Sequence, residues 1–136
     1  MTDCTFCAIA SESAAGSVVL DETDVLGFLD LRPVFPGHTL IVPRVHVATI
    51  ADLPDGLAAP LLLAARRVAA ALKSAVGAAG TLIAMNDVVS QSVAHLHLHV
   101  IPRRAGDGLR GFFWPRTRYE TPQDMERIRA AIAAAL

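Results

Sequence analysis

The chain has 136 residues, a hydrophobic fraction of 53% and a net charge of −1. The length fits one domain, residues 1–136, with a substantial core. No apolar run reaches the roughly 18 residues of a membrane span, and the near-neutral charge argues against bulk nucleic-acid binding. The N-terminal Met1-Thr2-Asp3-Cys4 lacks the basic and apolar regions of a secretory signal, so the expectation is a cytoplasmic protein.

The elements follow in chain order. Cys4 to Ala10 reads as a short helical turn. Val18-Val19-Leu20 and Val25 to Leu29 read as strands separated by the turn residues Asp21, Glu22 and Asp24. Leu31 to Gly37 is a constrained loop, punctuated by Pro33, Pro36 and Gly37. His38 to Val42 alternates as a further strand that Pro43 ends. Asp52-Leu53-Pro54 opens a helix, with Asp52 as its N-cap. Its apolar stripe is Leu57, Leu61, Ala64, Val68, Leu72 and Val76, at helical spacing, and Gly77 or Gly80 stops it. Thr81 to Asn86 is a strand, Asp87 to Ser92 a polar loop, and Ala94 to Ile101 another strand. Thr121 caps a final amphipathic helix with Pro122 at its first position. These elements predict an α+β domain with a largely antiparallel sheet.

Three of the five histidines lie in His95-Leu96-His97-Leu98-His99. Side chains alternate across a strand, so Leu96, Leu98 and Val100 share one face and the three imidazoles the other. Such a row has acid–base, nucleophilic and metal-binding capacity near neutral pH. It suits a metal site or histidine catalysis better than a merely solvated strand face. Cys4-Thr5-Phe6-Cys7 is a C-x-x-C pair: a redox pair, half a zinc site or two plain thiols. Zinc would need two further ligands from His38, His46, His95, His97 and His99. By itself His38 reads as a buried histidine held by backbone, and Gln91-Ser92 as ordinary turn chemistry. Arg103, Arg104, Arg110, Arg116 and Arg118 crowd the segment after the histidines, around Phe112-Phe113-Trp114. That segment is a solvated loop pinned by aromatics, or a lid offering charge to an anion.

Together these pieces resemble the histidine triad (HIT) family. The resemblance rests on the His-x-His-x-His run, Cys4-Thr5-Phe6-Cys7, Val25 to Asp30, Pro36 to Arg44, Asn86, Gln91-Ser92 and Ile101-Pro102-Arg103. It covers roughly residues 3–104, with 105–136 as a C-terminal extension. It implies a five-stranded antiparallel half-barrel with two main helices, and a homodimer whose sheets join into ten strands. Family members bind nucleotides and act at the α-phosphate. By that likeness His97 is the nucleophile that forms a transient nucleotidyl-histidine, His38 orients and charges it, and His99 contacts the phosphate. Ser92 and Gln91 match positions near the leaving group. Asp30 matches the ribose-binding acid, Phe6, Ile9, Phe28 and Leu31 the base cup, and Asn86 completes the nucleotide site. Cys4, Cys7, His46 and His95 match the structural zinc ligands of bacterial members. The chemistry itself then needs no metal.

Two departures bear on substrate. The loop before Gln91-Ser92 is commonly glycine-rich in the family, and here it is Asp87-Val88-Val89-Ser90. The third histidine is kept, where nucleotidyl-transferase branches carry glutamine, which makes water the expected acceptor. The resemblance does not extend to the arginine-rich segment from Arg103 to Tyr119. Three functions remain open: a hydrolase of phosphoramidates and related conjugates of purine nucleoside 5′-monophosphates, a dinucleoside polyphosphate hydrolase, and a nucleotide sensor or adaptor with little turnover.

Overall fold

The computed structural model describes residues 3–109 and 116–136. Arg110 and Phe112-Phe113-Trp114 lie outside the described residues. Two compact units result, Met1–Ala105 and Gly106–Leu136.

The first unit holds α1 (Thr5–Ala10), β1 (Val18–Asp21), β2 (Val25–Leu29), β3 (Thr39–Pro43), α2 (Asp55–Val76), β4 (Gly80–Ala84) and β5 (Leu98–Arg103). The five strands form one antiparallel sheet in the order β1-β2-β3-β5-β4. This is the α+β architecture that the strand pattern predicts. The second unit holds α3 (Pro122–Ala135), where the Thr121 side chain accepts from the Asp124 N–H and Pro122 opens the helix.

The sheet is covered on both faces. The β2–β3 register pairs Leu26 with Val42 and Phe28 with Leu40. Those four pack with Phe6 of α1. Alternation turns Val25 and Ile41 to the other face, where they join Leu61, Ala64, Val68 and Leu72 of α2. Hence β2 and β3 are apolar almost throughout, as strands buried on both faces must be. The α2 stripe is the one its spacing predicts. Gly77, at φ +69°, ends it in the left-handed conformation that glycine adopts freely.

Several boundaries differ from the sequence expectation. Asp52 does not cap α2. It closes a short 3-10 turn, Ile50–Asp52, and its carboxylate accepts from the Thr49 hydroxyl at 2.7 Å. Pro54 pushes Leu53 into an extended conformation, and that separates Asp52 from the helix. His38 lies just before β3 rather than in it, its N–H closing a turn onto the Phe35 carbonyl. Pro43 belongs to β3 as its last residue. Finally, β5 begins at Leu98 rather than Ala94, and β4 ends at Ala84 opposite His99. The cause is Pro43, which has no N–H to donate to the β5 side. Its carbonyl accepts from the His95 ring at 2.8 Å, and the Leu96 N–H turns to the Val47 carbonyl.

Candidate functional site

A cleft of about 350 Å³ opens on the α1 face of the sheet. Phe6 and Ile9 of α1 and Phe28 and Leu40 of the sheet give it apolar walls, and Leu31 lies at its rim, 92% exposed. Asp30 sits beside them. Its Oδ1 accepts from the Arg32 N–H at 2.8 Å, which fixes the carboxylate just after β2. His97, His99, Ser92 and Val93 line the cleft as well. A flat apolar ring fits such walls, with a hydroxyl-bearing group at Asp30 and an anion at the imidazoles.

The hydrogen bonds fix which ring nitrogens carry protons. His97 is buried, and its Nδ1 lies 2.7 Å from the His95 carbonyl. A carbonyl only accepts, so Nδ1 is the protonated nitrogen and Nε2 keeps its lone pair. A second chain runs through His38. The Val34 N–H donates to His38 Nδ1 at 3.1 Å, so the His38 proton is on Nε2. That Nε2–H donates to His99 Nδ1 at 2.9 Å. His99 therefore carries its own proton on Nε2, as a donor. His38 thus orients His99; the structure brings it to that ring, not to His97 by a direct bond. Asp30 Oδ2 lies 3.7 Å from His38 Nε2, close enough to polarise the chain but not to bond it.

Burial favours the neutral form of His38 and His99. His99 is pushed down to about 4, first by desolvation and then by His97 and His38, against a smaller opposing pull from Asp30. Desolvation also lowers His38, partly offset by Asp30.

On the other side of Phe6, four ligand atoms converge. Cys4 Sγ lies 3.4 Å from His95 Nδ1, and Cys7 Sγ lies 3.3 Å from His46 Nδ1 and 3.5 Å from His95 Nδ1. All four atoms lie within 4.8 Å of one another. Tetrahedral zinc bound by sulfur and imidazole has S···N edges of roughly 3.5 Å. The single Nδ1 lone pair of His95 faces both sulfurs, which suits a shared cation better than paired thiol bonds. The His95 Nε2–H is committed to the Pro43 carbonyl, the outer bond that presents Nδ1 to a metal. The Cys7 N–H donates to Cys4 Sγ at 3.4 Å, which fixes that sulfur at the start of α1. Burial, then the neighbouring Cys4, raises the Cys7 thiol above its ordinary range. The donor set fits zinc.

Of the remaining expected site residues, Gln91 is occupied in tying its loop to the chain at Ala48. Its amide donates to the Ala48 carbonyl at 2.7 Å and its oxygen accepts from the Val88 N–H at 3.1 Å. Asn86 is exposed after β4, one strand beyond β5, and does not line the cleft. The sequence reading missed Leu40, whose signal is its place opposite Phe28 and His99 in the ladders. It also missed Ala15-Gly16-Ser17 and Arg32 at the cleft, which carry no motif. Arg44 carries a role that its place in the Pro36 to Arg44 segment does not announce. Its guanidinium donates to the Ala10 carbonyl at the end of α1 and to the Glu22 carbonyl, and pairs with Asp21. It anchors the helix that walls the cleft.

Comparison with known proteins agrees with this geometry. The HIT domain model matches residues 11–106. "Protein hit" of Bacillus subtilis is 32% identical over 137 residues, covering 98% of this chain and 94% of that protein. The adenosine 5′-monophosphoramidase HNT1 of Saccharomyces cerevisiae is 32% identical over 101 residues, covering 74% of this chain and 63% of that protein. The crystal structure of a Bacillus subtilis HIT family member superposes with a TM-score of 0.89 at 31% identity, covering 99% of this chain and 98% of that one. A zinc-bound histidine triad family protein from Mycobacterium smegmatis gives a TM-score of 0.76 at 36% identity, covering 98% and 95%. With a family model spanning most of its length and full-length structural matches, this chain belongs to the HIT-domain family.

Proposed function

We propose that this protein is a hydrolase acting at the α-phosphate of nucleoside 5′-monophosphate derivatives, phosphoramidates above all, through a covalent nucleotidyl-His97. The observation that carries the reading is the fixed tautomer of His97. Its Nδ1–H is held by the His95 carbonyl, so the ring's lone pair falls on Nε2, and His97 lines the cleft. The phosphoramidase named among its relatives supports the substrate class.

In this reading a purine packs against Phe6, Ile9, Phe28 and Leu31, and Asp30 accepts from the ribose hydroxyls. His97 Nε2 attacks the α-phosphorus; the P–Nε2 bond forms as the bond to the leaving amine breaks, and the amine departs with a proton drawn from solvent near Ser92. Water then cleaves the P–Nε2 bond, releasing the nucleotide and restoring His97. His99 Nε2–H donates to a phosphoryl oxygen as charge builds there, and the Val34–His38–His99 chain holds that donor in place. Cys4, Cys7, His46 and His95 would hold zinc, which supplies a rigid, charge-neutralised cross-link outside the reaction. The reading extends to a homodimer joined at the β4 edge, where Ile83 is exposed.

Incubation with adenosine 5′-phosphoramidate should release adenosine 5′-monophosphate, and a denaturing quench at alkaline pH, where the P–N bond survives, should trap a phosphorus-linked histidine. His97→Ala should lower turnover by a factor of about 10⁴ or more and abolish the trapped species. Unchanged turnover in His97→Ala refutes the mechanism.

A further inference from the structure

The cysteine–histidine quartet and the cleft are built from the same two stretches of chain. α1 is six residues long. Cys4 caps it and Cys7 lies within it, both turned to the quartet, while Phe6 and Ile9 of the same helix wall the cleft. A helix this short has no stability of its own, so its placement is set by what its side chains touch. The second shared stretch is His95 to His97. The His95 ring faces the quartet, and the His95 carbonyl fixes the tautomer of His97. Phe6 joins the two. Its ring centroid lies 5.9 Å from that of His95, 5.1 Å from that of His97 and 5.3 Å from that of Phe28, edge-on in each case. One side chain thus touches a ligand, the nucleophile and the base cup.

The geometry points to the quartet as a coupling device. Metal held by Cys4, Cys7, His46 and His95 orders α1 and the His95 carbonyl in the arrangement the nucleotide needs, and Phe6 is the positioning residue between them. This rests on the nucleotide reading above. The driving force is conformational entropy. With α1 already ordered by metal, the nucleotide meets a finished wall and gives up less freedom on binding. Linkage makes the effect reciprocal: the factor by which metal tightens nucleotide is the factor by which nucleotide tightens metal. A metal that served stability alone would leave nucleotide affinity unchanged.

The test is calorimetric titration of adenosine 5′-monophosphate into the full chain, zinc-loaded and chelator-treated, with circular dichroism to confirm that both are folded. Removal of zinc should weaken the nucleotide Kd by at least about fivefold, the low end of ordinary coupling. Saturating nucleotide should tighten zinc by the same factor, read by competition with a chromophoric chelator. If the stripped protein unfolds, folding itself links the two ligands, and the Phe6→Leu comparison decides, because coupling that runs through unfolding survives that substitution. Phe6→Leu should keep one zinc per chain while the coupling factor falls toward one. Nucleotide affinity indifferent to zinc, a protein that binds no zinc, or full coupling in Phe6→Leu overturns the proposal. Failure to bind nucleotide in either state overturns the nucleotide reading instead.

Discussion

His38 and His99 show how burial selects a protonation state. Both rings carry lowered proton affinities because desolvation penalises the charged form. The folded protein therefore binds fewer protons at these rings than the unfolded chain, whose histidines titrate near 6.5. Stability from these groups is present above that value and is lost as pH falls toward about 4, the value of folded His99. Thermal unfolding at fixed zinc concentration should show the melting temperature dropping across that window, and His99→Gln, which cannot titrate, should flatten the drop. Asp30 has a separate role, with its carboxylate aimed by the Arg32 N–H. Asp30→Asn keeps the Oδ1 acceptor for that turn but removes the charge that would receive ribose hydroxyls. Steady-state kinetics on adenosine 5′-phosphoramidate should show KM raised about tenfold, the scale of one charged hydrogen bond, with kcat changed less. The alternation of Leu96 and Val100 against His97 and His99 was legible in the sequence, because two-residue periodicity needs no tertiary information. The tautomers were not, since they depend on carbonyls and amides that only folding brings near.

Among the elements, the loop Asp87-Val88-Val89-Ser90 replaces the glycine-rich stretch common in the family, and its backbone keeps the conformation that glycine would favour. Val88 stands at φ +66° and Ser90 at φ +60°. A β-branched residue there is a genuine outlier, costing roughly 1–2 kcal/mol. The loop persists because it is tied down: the Val88 N–H to Gln91, the Ile50 N–H to Asp87, and Gln91 to Ala48. Val88→Gly should relieve the strain, partly offset by the entropy glycine brings to the unfolded chain. The net expectation is a gain of up to about 1 kcal/mol, read as a higher denaturation midpoint with an unchanged slope. Helix ends show where sequence reading slips. Thr121-Pro122 capped α3 as expected. Asp52 failed to cap α2 because Pro54 decides the local backbone and side-chain chemistry only follows it.

For the first unit as a whole, the quartet joins α1 to the chain near His46 and His95, a distant closure that a metal would stabilise. Purified protein should contain about one zinc per chain, lost in Cys4→Ser/Cys7→Ser. Chelation should lower the melting temperature by on the order of 10 °C; full stability without metal would refute a structural zinc. The sequence by itself determined the element types, the identity of the histidine and cysteine clusters and the family they resemble. Those follow from local periodicity and residue chemistry, which the chain carries at every position. The family resemblance already implied that the histidine run serves two centres; tertiary structure brought His95 to the cysteines and turned His97 and His99 to the cleft. It also decided that His38 bonds His99, that Gln91 ties its loop to Ala48 and that Asn86 does not line the cleft. The reason is Pro43: its missing N–H stops the β3–β5 ladder at Leu98, and the freed segment rearranges its hydrogen bonds around distant carbonyls.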